Sequence, residues 1–485
     1  MRQIVVTPQE AALIEQEYRV VKKSIDARQR QLRVIMTILD REEEIDRITP
    51  VRPLLPVAVG SQPMKDSATI VGAGPAGLFA ALTLLGKGIK PIIIERGKPV
   101  SERKKDIALL NRNEGLNPES NYCFGEGGAG TFSDGKLFSR SKKKGDMQQV
   151  MDIFHYFGAD KKVLYETHAH IGSDKLPTII RNIREFIIAH GGEFHFDTEW
   201  KELTEWPTIL AIGHSAHDTY RMLYDKGVAM EAKGCAMGVR IEHPQRLIND
   251  IFFHYPTPDI VRLVGNASYA LVTQVGGQGV YSFCMCPGGH IVPAGSDLQQ
   301  GVVNGMSSSL RNSPYANSGL VVSLPFEGDA IQALDYQEAL EHEAWLQANA
   351  HTGLNTEHRP AQRLLDFVNK KDSFDLPSCS YLPGIVPSRL DQWMPKEIGE
   401  RLRMGLKIFD KQYRGFLTNE AVAVGVESRT SSPIRIVRDK TTYRSLSHPW
   451  LYPCGEGAGY AGGITSSALD GIRAAQALSR ALGYE

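Results

Sequence analysis

The chain has 485 residues, with 55 Lys plus Arg against 55 Asp plus Glu, so its formal net charge is zero. That balance excludes binding dominated by nucleic-acid or anionic-membrane electrostatics. The length allows roughly three domains, and 42% hydrophobic residues with 46 glycines suit an α/β enzyme rich in tight turns.

The N-terminus has no continuous apolar run of the secretory kind, and no stretch approaches the ~20 apolar residues of a membrane span. Cysteines at 123, 235, 284, 286, 379 and 454 are scattered apart from one close pair, which is not a disulfide framework. These features predict a cytoplasmic protein without a membrane partner. Residues 1–50 read as a small α/β unit: "RQIVV" and "LRVIMTIL" are strand-like, and "PQEAALIEQEY" between them is helical with an early Pro. The window 19–33 carries six Lys or Arg against one Asp. "ITPVRPLLPVAVGSQPM" (48–64) holds four prolines and predicts an extended linker, taken as 51–65.

From 66 the pattern alternates. "ATIVG" predicts a buried strand, "PAGLFAALTLLGKG" a helix and "KPIIIERG" a second strand, which together make a βαβ unit of a parallel sheet. Between strand and helix stand Gly72, Gly74, Pro75, Ala76 and Gly77. Gly72 permits the tight turn, Gly74 the approach of a pyrophosphate, and Gly77 close helix–strand packing, with the helix N-terminus facing the phosphates. Glu95, followed by Arg96, ends the second strand 23 residues after Gly72 (95 − 72), near the ~20 expected of an acid that binds a ribose 2′-hydroxyl. A carboxylate there argues against NADP at this turn. The middle of the chain predicts strands at "GVYSFCMC" and "GLVVSLPF" and long helices at "DAIQALDYQEALEHEAWLQANA" and "PKEIGERLRMGLKIFDKQY".

The stretch 451–478 repeats the strand–turn–helix theme. An apolar strand runs into Gly455-Glu456-Gly457, then into a second glycine cluster that includes Gly462 and Gly463 before Ile464 and Thr465. Leu469, Ile472, Ala475, Leu478 and Leu482 follow near helical spacing. A nicotinamide dehydrogenase has no need of a second such turn, whereas FAD is long enough to use both. Glu456 is placed to accept from a ribityl or ribose hydroxyl, and the helix near Thr465 to aim its N–H groups at the flavin N1/C2=O edge.

The glycine turn plus "GEGAGYAGG" is similar to glutathione-reductase-like FAD proteins. More narrowly, "NYCFGEGGAGTFSDGKL", "GVRIEHPQ", "GVYSFCMCPGGHIVPAG", "VVNGMS", "PAQRLLDF" and "ESRTSSPIRI" resemble a group of bacterial FAD-dependent dehydrogenase-like proteins. The resemblance runs from about 66 to the end. It implies α/β architecture: a Rossmann-like FAD-binding domain with a parallel sheet at 66–220 and 428–485, and an inserted α+β substrate domain at 221–427. It further implies that the loop bearing Gly127, Gly128, Gly130, Thr131 and Ser133 lies along the flavin, that Gly213 marks the return of the chain to the FAD domain, and that the strand at Trp200 passes the adenine. Between Gly192 and Gly213 this chain is shorter than the group, which inserts a strand meander there.

Four residues are candidates for chemistry. Arg429 is suited to stabilising a reduced flavin or clamping a carboxylate, and equally to a structural ion pair. Cys284 and Cys286, at i and i+2 of a strand, would share one face as a redox dithiol, or serve as small buried hydrophobes. Among His214, His217, His243 and His290, the last is the acid–base candidate. Lys136 and Ser133 reach a cofactor or solvent. No metal-ligand spacing is present. The leading expectation is an FAD-dependent oxidoreductase with NAD(P)H a candidate electron donor. The alternatives are a flavin-dependent RNA-modifying enzyme docking through 19–33, and a non-catalytic FAD-binding interaction protein.

Overall fold

The computed structural model describes residues 1–39, 64–137, 147–349 and 356–484. The expected linker at 51–65 falls, apart from its last two residues, outside the described ones. The N-terminal unit is β1 (Arg2–Val6), α1 (Pro8–Glu17), β2 (Arg19–Asp26) and β3 (Arg33–Leu39). Its antiparallel sheet has the order β1-β3-β2. Thr7 starts α1 with a capping box: its hydroxyl accepts the Glu10 N–H at 3.3 Å while the Glu10 carboxylate accepts the Thr7 N–H at 2.8 Å. β2 is an addition to the sequence reading, which found the basic window 19–33 and assigned it no strand.

The βαβ unit consists of β4 (Ser67–Val71), α2 (Pro75–Gly86) and β5 (Lys90–Ile94), followed by α3 (Val100–Asn111). Then come α4 (Met147–Tyr156), α5 (Leu176–Ala189), β6 (Glu193–His195), β7 (Thr208–Leu210) and α6 (His217–Asp225). The chain goes on through β8 (Met230–Ala232), β9 (Cys235–Pro244), α7 (Gln245–Phe253), α8 (Pro258–Val264), β10 (Val272–Val275) and β11 (Gln278–Cys286). Next are β12 (Gly289–Pro293), β13 (Val303–Ser307), β14 (Tyr315–Leu324), α9 (Ala330–Asn349), β15 (Arg359–Arg363) and α10 (Leu364–Asn369). The last elements are β16 (Ile385–Pro387), α11 (Leu390–Trp393), α12 (Lys396–Gln412), β17 (Val422–Glu427), β18 (Ile434–Ile436), β19 (Leu451–Pro453) and α13 (Ile464–Ala481).

Five strands form a parallel sheet in the order β19-β7-β4-β5-β6. The chain leaves β4 toward β5 on one side, while β7 and β19 lie on the other. The end of β4 is therefore the point where strand order reverses, and ligands bind in the crevice outside such a point. Short parallel strands buried on both faces need apolar residues throughout, which is what Ala68, Ile70, Ile93 and Ile209 supply. On one side α2 and α13 cross closely, because a Cβ on Gly471 would stand 2.0 Å from the Ala76 carbonyl oxygen.

A second, seven-stranded sheet has the order β10-β11-β14-β9-β17-β15-β16, antiparallel except for β15 with β16. Phe367, Leu402, Leu406 and Phe409 pack its core. Glu242 on β9 is buried and accepts the Ser380 N–H at 2.7 Å as well as the Ser380 hydroxyl. Its ordinary value is 4.5, and burial pushes it up to about 7 against these hydrogen bonds. Between those values the folded chain keeps a proton that the unfolded chain has released. The contribution is thus full below the ordinary value and is lost as pH rises toward 7. Glu242→Gln should remove this slope, so the variant gains on the wild type by about 3 kcal/mol across that window. Urea unfolding of both proteins through the window checks it, and a constant difference contradicts it.

Candidate functional site

The first glycine turn behaves as its residues demand. The Gly72 N–H donates to the Ile94 carbonyl at 2.8 Å, and Gly72 has φ +101° with the Ala211 carbonyl oxygen 2.4 Å from any added Cβ. Gly77 touches the same turn, since a Cβ there would lie 1.9 Å from the Gly72 oxygen. α2 begins at Gly74 with no side-chain cap, so its first N–H groups are left to a ligand. Glu95 is buried beside it. One carboxylate oxygen accepts the Ala73 N–H at 2.8 Å, and the other accepts those of Gly97 and Gly125 at 3.0 Å each.

The loop 120–130 is organised by Arg103, a fully buried guanidinium that the sequence reading missed. It donates to the carbonyls of Asn121 at 2.8 Å, Tyr122 at 3.1 Å, Glu126 at 2.8 Å and Gly128 at 2.9 Å. Burial among carbonyls pulls its pKa down to about 10. Gly128 sits at φ +64° with its Cβ direction 3.1 Å from the Gly74 Cα, so two backbones meet there without side chains.

The C-terminal turn folds onto the first. Gly455 would place a Cβ 2.9 Å from that of Ala76, and Gly457 would place one 2.4 Å from the Gly213 oxygen. The buried Tyr220 hydroxyl donates to the Gly457 carbonyl at 2.7 Å and to that of Gly213 at 3.3 Å, tying the C-terminal turn to the loop after β7. Asp470 on α13 accepts the Gly455 N–H at 2.8 Å and is paired with Arg438 at 2.7 Å. α13 begins at Gly463, again with no side-chain cap.

These turns line one cavity, with about 1390 Å³ of atom-free space counting its open mouth. Gly72, Gly74, Pro75, Ala76, Glu95 and Arg96 line it, as do Gly128, Gly130, Ser133, Trp200, Gly213, Gly455, Glu456, Gly462, Gly463 and Ile464. Thr198 and Glu199 flank Trp200 at the Glu95 end, while Phe283, Cys284, Asn304 and Thr430 belong to the lining contributed by later segments.

Four predicted cofactor residues stand elsewhere. Gly77 lies behind the turn in the helix–strand contact, and Gly127 and Thr131 border a small apolar void on the far side of the loop. The Thr465 hydroxyl is turned to the Leu137 carbonyl, to which it donates at 2.8 Å. Arg96 lines the cavity but is committed to Glu119 at 2.6 Å and Asp218 at 3.0 Å.

The candidates for chemistry divide likewise. Arg429 reaches the cavity wall, yet its guanidinium is paired with the buried Glu341 of α9 through Nε at 2.9 Å and Nη2 at 2.7 Å. His290, the acid–base candidate, stands on the exposed face of β12 and is not among the residues that line this cavity. His214 does line the cavity, with Nδ1 3.7 Å from a Glu456 oxygen. His217 and His243 are buried, paired with Glu338 and the Phe416 carbonyl, and burial lowers the pKa of both. Cys284 and Cys286 do not form the regular strand pair expected of them. The ladder slips between Phe283 and Cys286, and Cys284 has φ +46°. In 19–33, Lys23 pairs with Glu15 and Arg28 with Asp26.

The cavity fits a long anionic dinucleotide. Two uncapped helix N-termini, one from each end of the chain, face a floor where a Cβ on Gly462 or Gly463 would meet nothing within 4 Å. The Ser215 hydroxyl on its wall is buried without a partner. Among the described residues no group of His, Cys, Asp and Glu could hold a metal ion, and no helix is long and apolar enough to cross a membrane.

Comparison with known proteins agrees with this geometry. Residues 65–128 match an FAD binding domain, and residues 234–430 match the FAD-dependent protein, C-terminal domain-like family. An uncharacterized protein of Clostridium beijerinckii is 38% identical over 94% of this chain and 91% of its own length. Among solved structures, CtdE in complex with FAD is 10% identical, covering 86% of this chain and 89% of that one with a TM-score of 0.30. Mycobacterium smegmatis Sdh1 in complex with UQ1 is 14% identical, covering 87% and 70% with a TM-score of 0.34. At such scores neither likeness bears on the reaction. The protein binds FAD, its segments match an FAD binding domain and the FAD-dependent protein, C-terminal domain-like family, and with a relative alike over nearly its whole length the chain belongs to one family with the clostridial protein.

Proposed function

We propose that this protein is an FAD-dependent oxidoreductase that exchanges hydride between a small-molecule substrate and the flavin in a cytoplasmic setting. The observation that carries the reading is the pair of uncapped helix N-termini, α2 and α13, brought to one glycine-floored cavity from opposite ends of the chain. When bound, FAD supplies two-electron chemistry at its isoalloxazine ring. Glu95, oriented by three backbone N–H groups, would hold ribose hydroxyls, and the N-terminus of α2 would face the pyrophosphate. The N-terminus of α13 would place partial positive charge where reduction leaves negative charge. Gly128 and Gly130 on the cavity wall would let the ring approach backbone, which would leave Phe283, Cys284, Asn304 and Thr430 to receive substrate.

Purified protein should carry near-stoichiometric FAD with visible flavin absorbance. Anaerobic mixing with NADH and with NADPH should bleach that absorbance with at least one of them. A colourless protein that takes up no FAD ends the flavin reading. Bound flavin that dithionite reduces and that no quinone, dye or dioxygen reoxidises replaces catalysis with a structural role for the cofactor.

A further inference from the structure

Cys284 on the cavity wall belongs to a cluster with Cys286 and Lys136. The Lys136 ammonium lies 3.9 Å from the Cys284 sulfur and 3.6 Å from that of Cys286. Arg240 adds a second cation, with Nη2 3.6 Å from the Cys286 sulfur and donating to the Cys284 carbonyl at 2.7 Å. The slip in β11 and the positive φ of Cys284 break the strand at this spot, and both thiols nonetheless converge on one ammonium. Cys284 is half-buried and lines the cavity, whereas Cys286 is buried.

The surrounding charges can be named from each packed element. Lys136 also pairs with Asp134 at 3.0 Å, Arg311 pairs with Asp134 at 2.5 Å, and Arg240 pairs with Glu427 at 2.9 Å. His170 is kept neutral, its pKa lowered to about 4 by burial and by Arg311. Lys136 and Arg240 are thus the cations beside the two sulfurs, while Arg311 is shared between Asp134 and the more distant Glu166. Burial pushes Glu427, the partner of Arg240, up to about 7. The hydrogen bond from Cys286, then Lys136 and Arg240, hold the Cys284 thiol well below its ordinary value, and the same sharing drives Cys286 upward. The two thiols titrate as a pair, with Cys284 the first to lose its proton.

We propose that Cys284 is a thiolate nucleophile toward a small organic disulfide, with Cys286 as the resolving thiol. In the first step the Cys284 thiolate attacks one sulfur of R–S–S–R, the Cys284–S–S–R bond forms, the substrate S–S bond breaks, and RS⁻ leaves. Cys286 then gives its proton to that thiolate and attacks the Cys284 sulfur, so a Cys284–Cys286 disulfide forms and a second RS⁻ departs. The substrate gains two electrons and the cysteine pair loses two, with no further reactant in this single exchange. Repeated turnover rests on the flavin reading above, since a reduced flavin in the cavity that Cys284 lines would supply the two electrons needed to restore the dithiol.

The test uses the purified full-length protein, with flavin content recorded alongside. Iodoacetamide labelling, read cysteine by cysteine by mass spectrometry, should modify Cys284 at least ~10-fold faster near pH ~6 than Cys235 or Cys454. Lys136→Gln should slow that labelling about tenfold and Lys136→Arg should restore it, because each pKa unit shifts the thiolate fraction tenfold. With glutathione disulfide as the probe, Cys286→Ser should trap a lasting mixed disulfide on Cys284, and the wild type should release both glutathiones. A Cys284 that labels like an ordinary thiol, an unaffected Lys136→Gln, or an unaltered fate in Cys286→Ser each overturns the proposal. Should Lys136→Gln not fold, the wild-type profile decides: a plateau reached below about pH 7 supports it, and a midpoint near ~8.5 overturns it. A reactive Cys284 in protein that takes up no FAD would sink the flavin reading alone, and an inert Cys284 in yellow protein would sink the thiolate alone.

Discussion

Gly462→Phe is expected to give a folded chain that holds its flavin more weakly. A Cβ at this position meets nothing within 4 Å, because the neighbouring space belongs to the cavity floor. The new ring therefore strains no backbone, and its only competitor for space is the ligand. Forcing a side chain into filled space costs about 1–3 kcal/mol, so FAD affinity should fall roughly 10–100-fold while the unfolding midpoint in urea stays close to that of the wild type. Gly77→Ala is the counterpart. Its single methyl group would sit 1.9 Å from the Gly72 oxygen, so the loss there should appear in folding itself. Fluorescence titration of apoprotein with FAD, beside urea melts of both variants, separates the two effects. Unchanged FAD affinity in Gly462→Phe would remove the floor from the binding site.

Glu341→Leu carries the second large effect, and it falls on stability. Glu341 and Arg429 form a bidentate pair with side-chain exposures of 0% and 3%. Burial works against the Glu341 charge, yet Arg429 and the Ser428 hydroxyl keep its pKa below the ordinary value. Deleting the carboxylate strands a guanidinium whose remaining partners are the neutral Ser296, Gln300 and Cys123 side chains. Breaking one side of a buried pair costs about 3–5 kcal/mol, and replacing both partners costs far less. Urea denaturation should therefore show Glu341→Leu as the weak variant and Glu341→Leu with Arg429→Met as largely recovered. A single variant within ~1 kcal/mol of the wild type would mean that the pair is not needed to hold the cavity wall.

Legibility in the sequence followed how local the physical demand was. Gly72 and Gly77 were readable because a strand-to-helix turn of this tightness admits no Cβ, and the backbone closes on both. Glu95 was readable by its spacing, and the glycine run at 455–463 by its repetition of the first theme. Arg103 was not, since nothing in "VSERKKDIALL" distinguishes one buried guanidinium among surface charges. The same holds for Glu341, 88 positions from Arg429; Lys136 was named as reaching a cofactor or solvent, but its contact with cysteines 148 and 150 positions away was not. Arg429 was singled out for a reduced flavin, a carboxylate or a structural ion pair; it lines the cavity wall, and its partner Glu341 lies on α9, beyond any local pattern. His290 drew notice through its glycine neighbours, whereas its orientation depended on the pairing of β12 with β13. The basic window at 19–33 looked like a docking strip by composition, and side-chain pairing with Glu15 and Asp26 is a property only the folded chain has.

The close crossing of α2 and α13 has a bearing on biosynthesis. Half of the dinucleotide cradle is made early, and its other half comes from residues 451–481, so a nascent chain on the ribosome has no complete place for the cofactor until those last residues emerge. Closing so wide a loop is entropically slow compared with local helix formation. FAD capture is thus a late event in maturation, and chains stalled short of Gly455 should leave the ribosome without flavin.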